Sequence, residues 1–480
     1  HGHEDHLGAL PYFLQKYQLP IYATDFTQGL IGLKTKEFGF KDLDIRDLHC
    51  KEPVQIGDIN ITPLFINHSI MDAVALHIQA HDLNILHCTD FKIDRNAPNG
   101  DCIDLESFKK LGDAGLDLLM SDSTNSMSPG HTDSETLVAE NLLKLFKTIK
   151  GRIVVCLFSS NTYRQQSLID CARATGRKIA LTGRSSKEYF EVAKERGKLN
   201  LKDVEVYDVE DLKDFEDHEV LVLTTGSQAE PRSVLSRISQ EMFKPFRIKE
   251  GDTLIMSSRY IPGNEGRIEG MLNRISQLGA KIIDRPSLGP IHASGHAKQD
   301  ELKELVRITK PHYFLPIHGV HRALVKHKEL AVAEGVDSNN CLIALDGETI
   351  ELTHDHFKAV DQVEINHQFI SENSQLMINH DAVRRRNKLA WNGVVVVSTV
   401  YDHEHSEFKN NLQISSEGLF GGQTEADILA ELKQKLESLL KNQADKNLVD
   451  LKKIVKIETR RFYKSNFLIK PEVVVIIHEI

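Results

Sequence analysis

Eight residues at the start of the chain, His1-Gly2-His3-Glu4-Asp5-His6-Leu7-Gly8, hold the densest chemistry in the sequence. Three imidazoles and the Asp5 carboxylate fall within six positions, and these are the ligands that suit zinc, manganese and similar ions. Gly2 lets the backbone turn tightly enough for its neighbours to converge. Ligands so close together cannot all serve one tetrahedral ion that keeps an open position, so the spacing points to two adjacent ions. Paired ions imply hydrolysis of a phosphate or carbonyl ester. Two plainer readings stand beside this one. A solvated His-rich terminus or tag remnant is disfavoured, because tag histidines run consecutively and no amphipathic helix follows them. An amino-terminal histidine chelating copper through its own amine ranks lower.

The rest of the chain must position those groups. Its 480 residues, 40% apolar and 27% charged, suit a soluble protein of several domains. No apolar run approaches the roughly 18 to 20 residues that span a bilayer, so no membrane association is expected. Cys50, Cys88, Cys102, Cys156, Cys171 and Cys341 are scattered without a CxxC pair, which suggests core thiols and a cytoplasmic location. The net charge of -10 argues mildly against nucleic acid. Divalent ions and a few local cations in a substrate channel escape that argument, because they set the field where the substrate lies.

The apolar pattern predicts a helix over 7–17 and strands over 58–67, 73–80, 85–88 and 116–120, with Pro63 at an edge or bulge. His68, Asp90 and Asp122 stand at or just past strand ends. From about residue 132 the rhythm becomes alternating β and α units, with strands expected at 153–158, 178–181, 220–225, 253–257 and 281–283. That is the pattern of a doubly wound parallel sheet. Ligand-type residues then return in His292-Ala293-Ser294-Gly295-His296 and, after a strand over 313–317, in His318-Gly319. The α/β unit therefore reads as an insertion. A polar stretch over 372–392 with Arg384, Arg385 and Arg386 reads as an irregular linker. Strands at 394–400, 411–415 and 473–477 and helices at 424–440 and 446–463 complete a small α+β domain.

HxHxDH followed by Leu-Gly resembles the signature loop of the metallo-β-lactamase superfamily, and the later segments resemble its β-CASP nuclease family on the ribonuclease J branch. The resemblance implies a metallo-β-lactamase αββα sandwich, its amino-terminal strands lying outside these residues, with an inserted doubly wound β-CASP domain and a small α+β carboxy-terminal domain. The implied boundaries are 1–131 and 291–371 for the two parts of the sandwich, 132–290 for the insertion, 372–392 for the linker and 393–480 for the last domain. Because His1 opens the chain, the ion at its ligands is expected to bind weakly, and activity to be low, without the upstream strands.

The resemblance also joins residues that spacing alone leaves apart. It implies that His1, His3 and His68 hold one divalent ion, that Asp5, His6 and His318 hold another, and that Asp90 bridges them. Zn2+ is the expected metal, with Mn2+ and Mg2+ as alternatives. Two ions would acidify a shared water, and Asp5 could ligate while orienting it. Ser121-Asp122-Ser123-Thr124-Asn125 matches the first β-CASP motif, with Asp122 ordering the ligand side chains. A turn that merely caps the next helix is the plainer reading of that segment. His296 matches the second motif, as a non-ligand that stabilises the transition state or protonates the leaving oxygen. His292, Ala293, Ser294, Gly295 and His296, with Ser159, Ser160 and Asn161 of the inserted domain, resemble the parts that hold substrate phosphate.

His318 at the third motif is similar to the RNA-processing members, whereas the DNA-repair branch tends to carry valine. The implied activity is a two-metal ribonuclease acting on single-stranded RNA, both as endonuclease and as 5′-to-3′ exonuclease preferring a 5′-monophosphate. Its implied settings are rRNA processing and mRNA decay. The alternatives are a DNA nuclease of the same family, a small-molecule hydrolase of the same fold, and an inactive RNA-binding scaffold. A homodimer or higher oligomer through the carboxy-terminal domain is also implied. There Lys452, Lys456, Arg460 and Lys464 make one helix face basic, read first as a solvated face and second as a contact to RNA or a partner.

Overall fold

A computed structural model describes residues 1–480 except 285–286, 372–375, 403, 406, 410–411 and 442–446. Within the unit His1–Val363 a mixed sheet runs in the order Tyr313–Ile317, Leu118–Asp122, Leu83–Cys88, Val74–Ala80, Ile59–Phe65, Val54–Ile56. The first three strands are mutually parallel and the rest antiparallel. Burial alternates along Val74–Ala80, as a strand with one face on a core requires. That core gathers Leu86, Leu119 and Phe314 against Phe108, Leu302, Leu305 and Leu330 from the helices Leu105–Ala114, Gln299–Thr309 and His321–Ala333. Pro63 pairs with Leu76, while the outer strand reaches only to Ile61. Proline therefore sits where no ladder donor is asked of it.

Between the adjacent strands Leu118–Asp122 and Tyr313–Ile317 the chain leaves to build a second, wholly parallel sheet. Its order is Val206–Tyr207, Lys178–Leu181, Val220–Thr224, Ile153–Cys156, Thr253–Met256, Lys281–Ile283. Its three central strands are buried at every position, so their apolar runs are continuous rather than alternating. One face of this sheet shares a core with Leu7, Phe26, Leu30, Ile70 and Met71. The segments carrying His6 and His68 are thereby anchored on the insertion.

The unit Glu364–Ile480 centres on Val394–Asp402, which pairs antiparallel with Gln413–Glu417 and parallel with Glu472–Glu479. Val395, Val397, Leu432, Leu436, Leu451, Val455 and Tyr463 make its core with the helices Gly422–Lys441 and Leu448–Phe467. On the second helix, Lys456 and Arg460 pair with Glu472, so part of the basic face is neutralised within the unit.

Two expectations change. The helix over 7–17 is two short pieces, Glu4–Leu7 and Leu10–Leu14, because Pro11 has no N–H to continue the ladder. The stretch 372–392 is not irregular throughout: His380–Asn392 is a helix capped by the Asn379 side chain, which accepts from Ala382 N. It buries none of its residues, so no apolar stripe announces it. The strand expected from 411 and the helix expected from 446 begin on residues outside the described set, and their described parts are Gln413–Glu417 and Leu448–Phe467.

Candidate metal centre

Strand ends deliver the site. His68 follows Ile59–Phe65, Asp90 follows Leu83–Cys88, Asp122 ends Leu118–Asp122 and His318 follows Tyr313–Ile317, all at carboxyl ends of strands. The opening loop meets them from the other side. The His3 carbonyl accepts from the N–H groups of His6 and Leu7, each at 3.1 Å, and Leu7 is buried. One helical turn thus aims His1, His3, Asp5 and His6 at the sheet edge.

Ligand-type atoms of His1, His3, His68 and Asp90 lie within 4.8 Å of one another, as do those of Asp5, His6, Asp90 and His318 and those of Asp90, Asp122, His296 and His318. Asp90 belongs to all three groups. Its Oδ2 lies 3.2 Å from His1 Nε2, 3.3 Å from His6 Nε2 and 3.7 Å from His68 Nε2, and its Oδ1 lies 3.3 Å from His318 Nδ1. Burial pushes the Asp90 carboxyl up. The His6 hydrogen bond and the charges of His68, His296 and His318 more than offset that and hold it well below the carboxylate range.

The donor set fits a divalent cation. His1 Nε2 is buried and makes no hydrogen bond, which costs about 1–3 kcal/mol for a polar atom left unpaired. His68 Nε2 and His3 Nδ1 face each other at 3.0 Å. Burial pushes His3 down to about 4 and His68 well below its ordinary value, and the neutral imidazole is the form that coordinates.

His318 adopts a left-handed backbone, φ 53°, a conformation that costs about 1–3 kcal/mol away from glycine. Thr124 Oγ1 braces it, 3.0 Å from His318 Nδ1, 3.1 Å from the His318 carbonyl and 2.7 Å from Asp122 Oδ1. The hydrogen bond to Asp122, with burial opposing and the Asp90 charge assisting, raises His318 to about 9, so a cation bound at this ring would have to displace that proton. Burial pushes Asp122 up, but bonds from His296 and His318 bring it down to about 2. His296 Nδ1 lies 2.8 Å from Asp122 Oδ2. Burial lowers His296, and the bond and charge of Asp122 carry it above its ordinary value.

The phosphate-type segments divide. Ser294 Oγ accepts from Asn125 Nδ2 at 2.9 Å and His296 N at 3.2 Å, which leaves its own proton to donate. Asn161 is buried and its Oδ1 accepts from Arg164 N, capping the helix Thr162–Thr175. Ser159 and Ser160 are half-buried just before that helix. Ala293 is buried. His292 lies beside Phe158, its Nδ1 buried without a partner and its pKa pushed by burial to about 3.

Four contributors went unread in the sequence as individual residues. Thr124 braces His318, and Asn125 joins Ser294, the His296 carbonyl and Arg259 Nη1. Arg164, fully buried, donates to Glu135 Oε2 at 2.8 Å and to the Ile291 carbonyl at 2.7 Å. Spacing alone does not mark these roles, because Thr124 reaches His318 across 194 positions, Asn125 reaches Ser294 across 169 and Arg164 reaches Glu135 across 29.

Comparison with known proteins agrees with this geometry. Family models match residues 150–275 as the ribonuclease J β-CASP domain, 287–343 as a Zn-dependent metallo-hydrolase RNA specificity domain and 381–480 as the ribonuclease J carboxy-terminal domain. Ribonuclease J of Helicobacter pylori is 35% identical over 469 residues, covering 97% of this chain and 67% of that protein. Ribonuclease J of Thermus thermophilus is 36% identical over 408 residues, 83% of this chain and 71% of that one. That of Synechocystis is 36% identical over 366 residues, 76% of this chain and 57% of that one. The fold and the clustered ligand-type residues agree with the matched family models, which define a metal-dependent hydrolase of the metallo-β-lactamase superfamily with a β-CASP domain. Within that class the chain belongs to the ribonuclease J family, a family of metallo-hydrolase nucleases.

Proposed function

We propose that the chain is a two-metal ribonuclease that cleaves single-stranded RNA internally and from the 5′ end, preferring a 5′-monophosphate and leaving 5′-phosphate and 3′-hydroxyl products. The observation that carries this reading is Asp90, shared between a group with His1, His3 and His68 and a group with Asp5, His6 and His318. On this reading those seven residues hold two divalent ions, Zn2+ foremost, and residues 132–290 form the inserted substrate-binding domain. Bound ions would supply an activated water and neutralise charge on the phosphate.

The chain's own groups do the rest. Asp122, ionised and buried, accepts from His296 Nδ1 and favours the imidazolium form of that ring, and the imidazolium can pass its Nε2 proton to the leaving 3′ oxygen. Asp5, the exposed carboxylate of its group, orients the nucleophile. The Ser294 hydroxyl, with Ser159, Ser160 and the amino end of Thr162–Thr175, holds phosphate through O–H and N–H donors. His318 in place of an apolar residue favours RNA over DNA as substrate. The proposed setting is RNA maturation and decay in the cytoplasm, as a homodimer through the last domain.

End-labelled RNA and matched DNA, each with and without a chelator, test the reading. Chelator-sensitive RNA cleavage with DNA spared is expected. Equal cleavage of DNA would move the chain to the DNA branch, and binding without cleavage would make it a scaffold.

A further inference from the structure

Resting on the reading of His68 as a metal ligand, we infer that Gly295 is a positioning residue of the metal centre: its carbonyl fixes the His68 tautomer and its missing side chain leaves room for the His68 ring. His68 Nδ1 lies 2.7 Å from the Gly295 carbonyl. A carbonyl only accepts, so Nδ1 must carry the hydrogen, and Nε2 is left with the lone pair. That nitrogen is the one that faces His3 Nδ1 at 3.0 Å and Asp90 Oδ2 at 3.7 Å. Outer hydrogen bonds of this kind orient a ligating imidazole and set its basicity.

The second observation is steric. A Cβ built on Gly295 would fall 2.7 Å from both Cε1 and Nδ1 of His68 and 2.9 Å from Ser69 Oγ, closer than carbon tolerates. His68 is 1% exposed, so its ring cannot swing outward to make room. Gly295 has no left-handed backbone requiring glycine, and its smallness makes room for the His68 ring first and the Ser69 hydroxyl beside it. Gly295 also sits between Ser294, tied to Asn125, and His296, tied to Asp122. The segment that faces substrate and the ring that faces metal therefore share one peptide. Displacing either displaces the other.

Metal content decides the inference. Wild type, His68→Ala and Gly295→Ala are loaded with Zn2+, challenged with graded chelator and assayed for bound metal, with thermal unfolding measured alongside. Gly295→Ala should weaken one of the bound ions by about 10- to 100-fold, the usual cost of losing such a support, following His68→Ala in which ion is lost. Full retention by Gly295→Ala, while His68→Ala loses an ion, overturns the inference and leaves the ligand reading standing. Full retention by both variants overturns the ligand reading and the inference with it. Should Gly295→Ala not fold, the metal-free wild type gives the same decision through histidine 15N spectra, with His68 assigned by its absence from His68→Gln. An Nδ1–H tautomer is the expected result, and an Nε2–H tautomer overturns the inference.

Discussion

At Asp90 one buried carboxylate faces imidazole nitrogens of His1, His6, His68 and His318 between 3.2 and 3.7 Å. Its removal leaves those rings without the charge that draws a cation between them, so Asp90→Ala should lose bound metal and nuclease activity together. Metal analysis beside an RNA cleavage assay checks this, and wild-type metal content with wild-type rate would remove Asp90 from the centre. His296 poses a sharper question, because it shares a group with Asp90, Asp122 and His318 and could in principle ligate. If it moves protons instead, His296→Ala should slow cleavage by about 10²- to 10⁴-fold with metal content unchanged. Loss of an ion in this variant would make it a ligand.

The helices Glu135–Thr148 and Thr162–Thr175 hold the site from behind. Arg164 on the second donates to Glu135 on the first and, through Nη1, to Ser257 and the Ile291 carbonyl, and Lys92 Nζ stands 3.8 Å from Glu135. Breaking one partner of such a buried pair costs about 3–5 kcal/mol, so Glu135→Gln should lower stability by that order in urea unfolding at neutral pH. Burial pushes the Glu135 carboxyl up, but Arg164 and Lys92 hold it below its ordinary value. A depressed carboxylate contributes fully above its unfolded pKa, about 4.5, and loses that contribution as pH falls through the lower folded value. The gap between wild type and Glu135→Gln should therefore narrow as pH drops below about 4.5, and a gap that widens there would refute the pairing.

The same elements show what the sequence could disclose. The buried strands Ile153–Cys156, Val220–Thr224 and Thr253–Met256 were legible because both faces are apolar and the runs are unbroken. His68, Asp90 and His318 were legible as strand-end residues, although only the resemblance joined them across 250 positions. Arg164 and Glu135 were not, since in a helix pattern a charge reads as solvated surface and only tertiary contact shows that it is buried. The helix expected over 7–17 was read as one piece because the apolar spacing continues through Pro11, and Val206–Tyr207, with two residues, is too short to carry a period. The helix His380–Asn392 went unread for the opposite reason, having good formers and a cap but no face to bury.

At the scale of the whole molecule, every candidate ligand and phosphate-binding residue, from His1 to His318, lies in the unit His1–Val363. The unit Glu364–Ile480 has its own core around Val395, Leu432 and Tyr463. Separate cores make the units candidates for independent folding. A chain ended at Val363 should therefore keep its metal and hydrolyse a small activated phosphodiester, such as bis(p-nitrophenyl) phosphate, within a few-fold of the full chain. Long RNA asks more, because a chain of net charge -10 must draw its polyanionic substrate with local cations and ions rather than with an overall field. If Lys452 and Lys464 of the helix Leu448–Phe467 contribute, truncation should raise the KM for RNA while the rate on the small ester holds. Their phosphate contacts should also make KM for the full chain rise more steeply with salt than KM for the truncated one. Loss of metal on truncation would instead show that the centre depends on the second unit, and equal KM values and salt slopes would show that this basic face is solvated surface and no part of the RNA path.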